Sequence, residues 1–137
     1  MMRIANTVKI PDIIYPELSY KINGIFFTVH NELGRMCNEQ QYADAIEGYF
    51  KKVCVHFERE KLLPISFESE RNGRNRVDFL IEDKIILEIK AKRIISKEDY
   101  YQVMRYLHAY NKKLGILVNF RDKFIRPKRI LNSTVSV

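Results

Sequence analysis

Apolar positions along the chain follow two periods. From Glu17 to Leu33 they lie on one helical face, with Ile22, Ile25, Phe26, Val29 and Leu33 at i, i+3, i+4, i+7 and i+11. Gly34 comes next, where a helix end wants positive φ. A second helix is predicted from Glu39 to Lys52. Asn38 is its N-cap, Gln41 stands in the capping-box position, and Tyr42, Ala43, Ile46, Tyr49 or Phe50, and Val53 form the buried stripe. The period then drops to two. Val53, Val55 and Phe57 alternate with Cys54, His56 and Glu58, so a strand is expected over Val53–Arg59. A second strand is expected at Ile65 and Phe67, with Leu63, against Ser66 and Glu68. The run Arg71-Asn72-Gly73-Arg74 signals a turn. Val77–Ile81 and Ile85–Ala91 form two further strands joined by Glu82, Asp83 and Lys84. Ser96, with Asp99 behind it, caps a helix running to Asn111 that buries Val103, Met104 and Leu107. Leu114–Phe120 is a continuous apolar run, the mark of a strand covered on both faces. Phe124–Leu131 adds an edge strand.

This order of elements makes an α/β (α+β) fold, a mixed central β-sheet flanked by helices. One domain is expected over residues 17–131, with an N-terminal arm at 1–16 and a C-terminal tail at 132–137. At 137 residues and 46% apolar, the chain can build one core. Its aromatic content argues against disorder, and no apolar run is long enough for a membrane span. Two cysteines, Cys37 and Cys54, make no disulfide scaffold. With no secretory signal at the start, they read as free thiols of a cytoplasmic protein. Lys plus Arg exceed Asp plus Glu by 24 to 17, giving +7. That balance favours a polyanionic partner, or serves solubility alone.

The chemistry concentrates in the hairpin Val77–Ala91. Val77, Phe79 and Ile81 share an apolar face with Ile85, Leu87, Ile89 and Ala91. The other face carries Asp78, Leu80, Ile86, Glu88 and Lys90. A three-residue connection pairs Ile81 with Ile85 and sets Asp78 opposite Glu88. A two-residue connection would place Asp78 opposite Leu87 or Ile89, with Glu88 on the far side. Two opposed carboxylates repel and are tolerated with a cation between them. Mg²⁺ takes carboxylate and carbonyl oxygens while keeping waters, and Lys90 could hold a water or phosphate oxygen beside it. The alternative is a solvated face whose acids and lysine pair among themselves. Gln102 and Tyr106, one turn apart on the following helix, and Glu39 could join the site. Gln102 is otherwise a surface polar residue, and Glu39 a favourable charge at a helix N-terminus.

Three segments resemble the PD-(D/E)xK nuclease superfamily, and within it the small GxxExxY family. They are Val29-His30-Asn31-Glu32-Leu33-Gly34 with Glu39-Gln40-Gln41-Tyr42; Arg76 to Ile81 with Ile86 to Ala91; and Gln102 to Leu107 with Leu114 to Phe120. Met36 stands where the family name has Gly, and Val77 replaces the proline of the superfamily's Pro-Asp pair. The resemblance implies an αβββαβ restriction-endonuclease-like core and metal-dependent cleavage of nucleic acid. It implies Asp78, Glu88 and Ile89 as ligands of Mg²⁺ or Mn²⁺, and Lys90 as the residue that positions or activates water. Glu39 and Gln102 match the family's helix Glu and helix Gln.

The expected function is therefore a metal-dependent phosphodiesterase acting on DNA ahead of RNA. Arg71, Arg74, Arg76, Lys92 and Arg93 are candidates for phosphate contacts. The rival is a non-catalytic nucleic-acid-binding or protein-interaction module on the same fold. No strongly amphipathic basic helix supports a membrane-surface role. A homodimer is compatible with the sequence but not demanded by it. His30, His56 and His108 lack metal-like spacing, and there is no Gly-rich phosphate loop or nucleophile elbow.

Overall fold

The computed structural model describes residues 14–133. Most of the expected arm, and residues 134–137 of the expected tail, lie outside the described residues. Helix α1 (Pro16–Leu33) has proline in its first turn, where its missing N–H would be unpaired anyway. It ends at Gly34, at φ 75°, whose N–H donates to the His30 carbonyl. Helix α2 (Glu39–Lys52) carries the full capping box: the Asn38 side chain accepts from Gln41 N, and the Gln41 side chain from Asn38 N. Helix α3 (Lys97–Tyr110) uses the same device with Ser96 and Asp99, and stops at a left-handed Asn111.

Strands β1 (Phe57–Leu62), β2 (Arg76–Ile81), β3 (Ile85–Lys90), β4 (Leu114–Asn119) and β5 (Lys128–Leu131) form one sheet in chain order. β3 and β4 pair in parallel with α3 as their crossover; the other neighbours are antiparallel. Helices α1 and α2 bury Ile22, Phe26, Val29, Ile46 and Phe50 against Phe79, Ile81, Leu87 and Ile116. On the other face α3 sets Val103, Tyr106 and Leu107 against Leu80, Ile86 and Leu117. Every β4 residue is buried, as a strand between two helical layers must be. At Gly115 α3 comes close to β4: an added Cβ would lie 2.6 Å from Val103 Cγ1. Among the described residues no helix is long and apolar enough to cross a membrane.

The strands before the hairpin differ from expectation. Val53 to His56 are not strand. Val53 is the C-cap of α2, Cys54 turns left-handed at φ 61°, and Val55 N returns to Phe50 O. The alternation there belongs to a helix exit that drops Val55 into the core. The strand expected at Ile65 and Phe67 is absent, and residues 63–75 form a loop. Pro64 supplies no N–H for a ladder. Buried Asn75 gathers the loop instead, donating through Nδ2 to Pro64 O (3.0 Å), Ser66 Oγ (2.9 Å) and Glu70 Oε1 (3.0 Å). The edge strand at the C-terminal side shortens to Lys128–Leu131.

One end of the sheet collects the functional candidates. There β2 begins, β3 and β4 finish, and α3 starts. The start of α2 reaches the same end, since Glu39 Oε2 accepts from Ala91 N, one residue past β3, at 3.3 Å.

Candidate active site

Glu82 and Asp83 both adopt positive φ, 53° and 56°, and Lys84 N closes the turn on Ile81 O. This connection pairs Ile81 with Ile85, Leu80 with Ile86 and Phe79 with Leu87. The ladder stops there. The next pair by register would be Asp78 and Glu88, and at that level their side chains replace the ladder. Glu88 Oε2 accepts from Asp78 N at 2.8 Å, and Asp78 Oδ2 accepts from Ile89 N at 2.7 Å. Each carboxylate thus takes a backbone donor of the opposite strand.

The flat face expected to carry both acids is corrected. Val77 packs with Leu80 under α3, whereas Phe79 and Ile81 pack under α1 and α2, so alternation slips between Val77 and Phe79. Glu60 lies level with Asp78 on β1, has φ 51°, and is skipped in the β1–β2 ladder. The two strands bend together at this level. Asp78 consequently lines a small cavity under the start of α2 with Glu39, Gln40, Ala43, Arg59 and Glu60. Glu88 keeps its place after Ile86 in β3, level with Leu117 of β4, and sits near Tyr106 of α3. The acids meet where β2 and β3 part, not on a common pleated surface.

Glu88 is 5% exposed and Asp78 half-buried. Burial, and then repulsion from Asp78, pushes the Glu88 carboxyl up from 4.5 to about 8. Burial also raises Asp78, opposed by its bond from Ile89 and reinforced by the charge of Glu39. Glu39 repels both acids, so the three form one electrostatic group. Burial and the Glu88 charge likewise raise the phenol of Tyr106.

Lys90 attracts both acids but forms its ion pair elsewhere, at 3.9 Å from Asp99 Oδ1. Asp99 also holds Lys92 at 2.6 Å and accepts from Ser96 N at 2.8 Å. Burial alone would raise Asp99, but Lys92 and Ser96 outweigh it and hold the carboxyl below its ordinary value. Gln102 is half-buried on α3, one turn from Asp99 and from Tyr106, with no hydrogen bond among the described residues. Ile89 places its side chain in the core under α1 and α2 and its amide on Asp78. Arg71, Arg74 and Arg93 are exposed. Arg76 Nη1 reaches Glu60 O at 3.5 Å, and Lys92 is already engaged by Asp99.

Three residues at this end were not singled out as site residues by sequence reasoning. Asp99 read only as a capping residue, although it lies across from Lys90 and Lys92. Asn119 is a buried polar residue ending an apolar strand, and that contrast was its signal. It accepts from Lys92 N at 3.1 Å and donates to Lys92 O at 2.7 Å, clamping the segment after β3. Arg121 follows the same strand and lines a cleft with Glu39 and Ala91.

The donor chemistry fits a hard divalent ion. Two adjacent carboxylates, Glu88 buried and Asp78 half-buried, have no ion pair to a cation, and Asp78 Oδ1 and Glu88 Oε1 receive no hydrogen bond among the described residues. Mg²⁺ is commonly held by one or two carboxylates with water and phosphate completing its shell. Among the described residues no group of three or more His, Cys, Asp or Glu is arranged to hold a metal, so a cation here would depend on such completion.

A family model described as the PD-(D/E)XK nuclease superfamily matches residues 16–130. No curated protein and no solved structure matches the chain.

Proposed function

The chain belongs to the PD-(D/E)XK nuclease superfamily, and on that premise we propose that it hydrolyses phosphodiester bonds in nucleic acid, DNA ahead of RNA, with Mg²⁺ or Mn²⁺. Nucleases of this superfamily generally use divalent metals. The observation that carries the reading is the crossed pair Asp78 and Glu88, one half-buried and one buried acid without an ion-pair partner in the fold. They are the proposed ligands, with the Ile89 carbonyl as a third. A cation bound there would polarise a phosphate oxygen and make a coordinated water more acidic. Glu88, whose carboxyl is raised to about 8, would give up its proton to hold it. Lys90, steadied by its long contact with Asp99, donates to the attacking water or a phosphate oxygen. Gln102 orients the same group from α3, and Glu39 accepts a hydrogen bond at the entrance. Arg74, Arg76, Lys92 and Arg93 hold flanking phosphates. The short loop tied by Tyr42 Oη to Gly34 O, with Glu39 on Ala91 N, supports the GxxExxY branch. A cytoplasmic location accords with the thiols Cys37 and Cys54, both free.

Purified protein incubated with labelled DNA and RNA of several shapes is expected to cleave in Mg²⁺ or Mn²⁺ and not in EDTA. Asp78→Asn, Glu88→Gln and Lys90→Ala should each abolish cleavage. Cleavage that persists in EDTA or in Lys90→Ala removes the mechanism. The Lys90 contact with Asp99 favours a second reading, a nucleic-acid-binding module without hydrolysis. That reading predicts binding with no cleavage under any metal.

A further inference from the structure

A cleft of about 480 Å³ opens on the Glu39 side of the site, lined by the loop from Met36 to Gln40, by Ala91 and by Arg121. Its size suits a nucleotide rather than a lone ion. The Arg121 backbone is fixed on both sides. Its N–H donates to Asn119 Oδ1 at 3.3 Å, and its carbonyl accepts from Arg35 Nε at 2.8 Å. The next carbonyl, Asp122 O, lies 2.9 Å from His30 Nε2. The side chain contrasts with this anchoring. Arg121 Nε is enclosed and has no hydrogen-bond partner, and the guanidinium forms no ion pair among the described residues. Other half-buried arginines are satisfied: Arg59 reaches Asp44, Glu47 and Gln40, and Arg129 reaches Ser19 and Ile14. An enclosed charged donor without an acceptor is costly unless a ligand supplies one. Glu39 shares the cleft and does not pair with it.

We propose that this cleft is a phosphate subsite, in which Arg121 grips the backbone phosphate next to the one cleaved. The inference rests on the nuclease reading and deepens it. A strand approaching Asp78, Glu88 and Glu39 meets clustered negative charge, and a planar two-pronged cation on the entrance side offsets that repulsion. Because the guanidinium has no hydrogen bond or ion pair among the described residues, its removal breaks none.

The test is fluorescence anisotropy of a fluorescein-labelled DNA oligonucleotide with the full chain, in Ca²⁺ across a salt series. Arg121→Ala should weaken binding about tenfold and flatten the log–log salt slope by about one. Arg121→Lys should fall between, and no variant should melt below the wild type. Arg126→Ala, an exposed cation outside the cleft, is the control and should change little. Arg121→Ala binding no worse than Arg126→Ala overturns the subsite, while metal-dependent cleavage by the same preparation leaves the nuclease reading standing. An Arg121 effect on binding without cleavage in any metal upholds the subsite and removes hydrolysis. A wild-type chain that binds no oligonucleotide overturns both.

Discussion

Asp78 and Glu88 exchange backbone partners: Glu88 Oε2 takes Asp78 N at 2.8 Å, and Asp78 Oδ2 takes Ile89 N, next to Glu88, at 2.7 Å. A ladder would have used strand donors on strand carbonyls. Here the strands are parted, and the two carboxyl groups are fixed in the gap, Glu88 at the depth of the core. The bonds favour the ionised carboxylates, while burial and mutual repulsion oppose them, and the opposition wins. The fold thus stores an electrostatic cost at one point that a cation would relieve.

That cost sets the pH dependence of the metal-free protein. The Glu88 carboxyl titrates at about 8 when folded and near 4.5 when unfolded. A raised folded pKa means its contribution is fully present below pH 4.5 and lost as pH rises towards 8. In EDTA, stability should therefore fall from pH 5 to pH 8. Glu88→Gln removes most of this fall and should melt higher than wild type at pH 8, by a difference on the order of 2–3 kcal/mol. Calorimetry at the two pH values checks it, and equal midpoints at pH 8 would refute it.

Asp99 behaves with the opposite sign. Its carboxyl is held below the ordinary 3.8, so its stabilisation is present above that pH and lost as pH falls. Asp99→Asn keeps an oxygen for Ser96 N but loses the charge that holds Lys92 and Lys90. Stability should drop by about 1–2 kcal/mol at pH 7. Cleavage should fall at least tenfold, through kcat more than KM, because the lysines lose their fixed positions. A kcat that tracks the folded fraction alone would reduce Asp99 to a capping residue.

The helices were legible because each has its own punctuation. Gly34 at φ 75° and the boxes at Asn38–Gln41 and Ser96–Asp99 stand where the residue types demand. The register of the hairpin was left open between a two- and a three-residue connection, and the fold takes the three-residue one, with Ile81 on Ile85. The face was not legible. Alternation is a rule for an unbroken strand, and the slip at Glu60 and Asp78 depends on how β1 and β2 bend together, which neither segment encodes alone. The strand read at Ile65 and Phe67 failed for a similar reason. Its apolar pair is exposed and Pro64 denies it a ladder, while the organising contact comes from Asn75 at the far end of the same loop. Arg121 was invisible because nothing in sequence distinguishes an unpaired arginine from a solvated one.

The close approach of α3 to β4 gives a prediction about stability alone. Gly115→Ala puts a methyl 2.6 Å from Val103 Cγ1, against a fully buried side chain that cannot move freely. Denaturant titration should show a loss of about 1–3 kcal/mol. Adding Val103→Ala relieves the clash, so the double variant should be more stable than the sum of the single losses predicts. Strict additivity would place the strain elsewhere.

Divalent cations should act on stability before any substrate is present. A ligand that binds only the folded state at a hundred times its Kd adds about 2.7 kcal/mol. Mg²⁺ or Mn²⁺ should raise the thermal midpoint of the wild type by several degrees and leave Asp78→Asn unmoved. The proton on Glu88 competes with the cation, so the gain should grow between pH 6 and pH 8 as that carboxyl ionises at about 8. Arg121→Ala should show the same metal-induced gain as wild type, because a guanidinium is a cation and no candidate ligand. A shift that survives in Asp78→Asn would place the cation away from the crossed acids and remove the premise that they were left unneutralised to receive it.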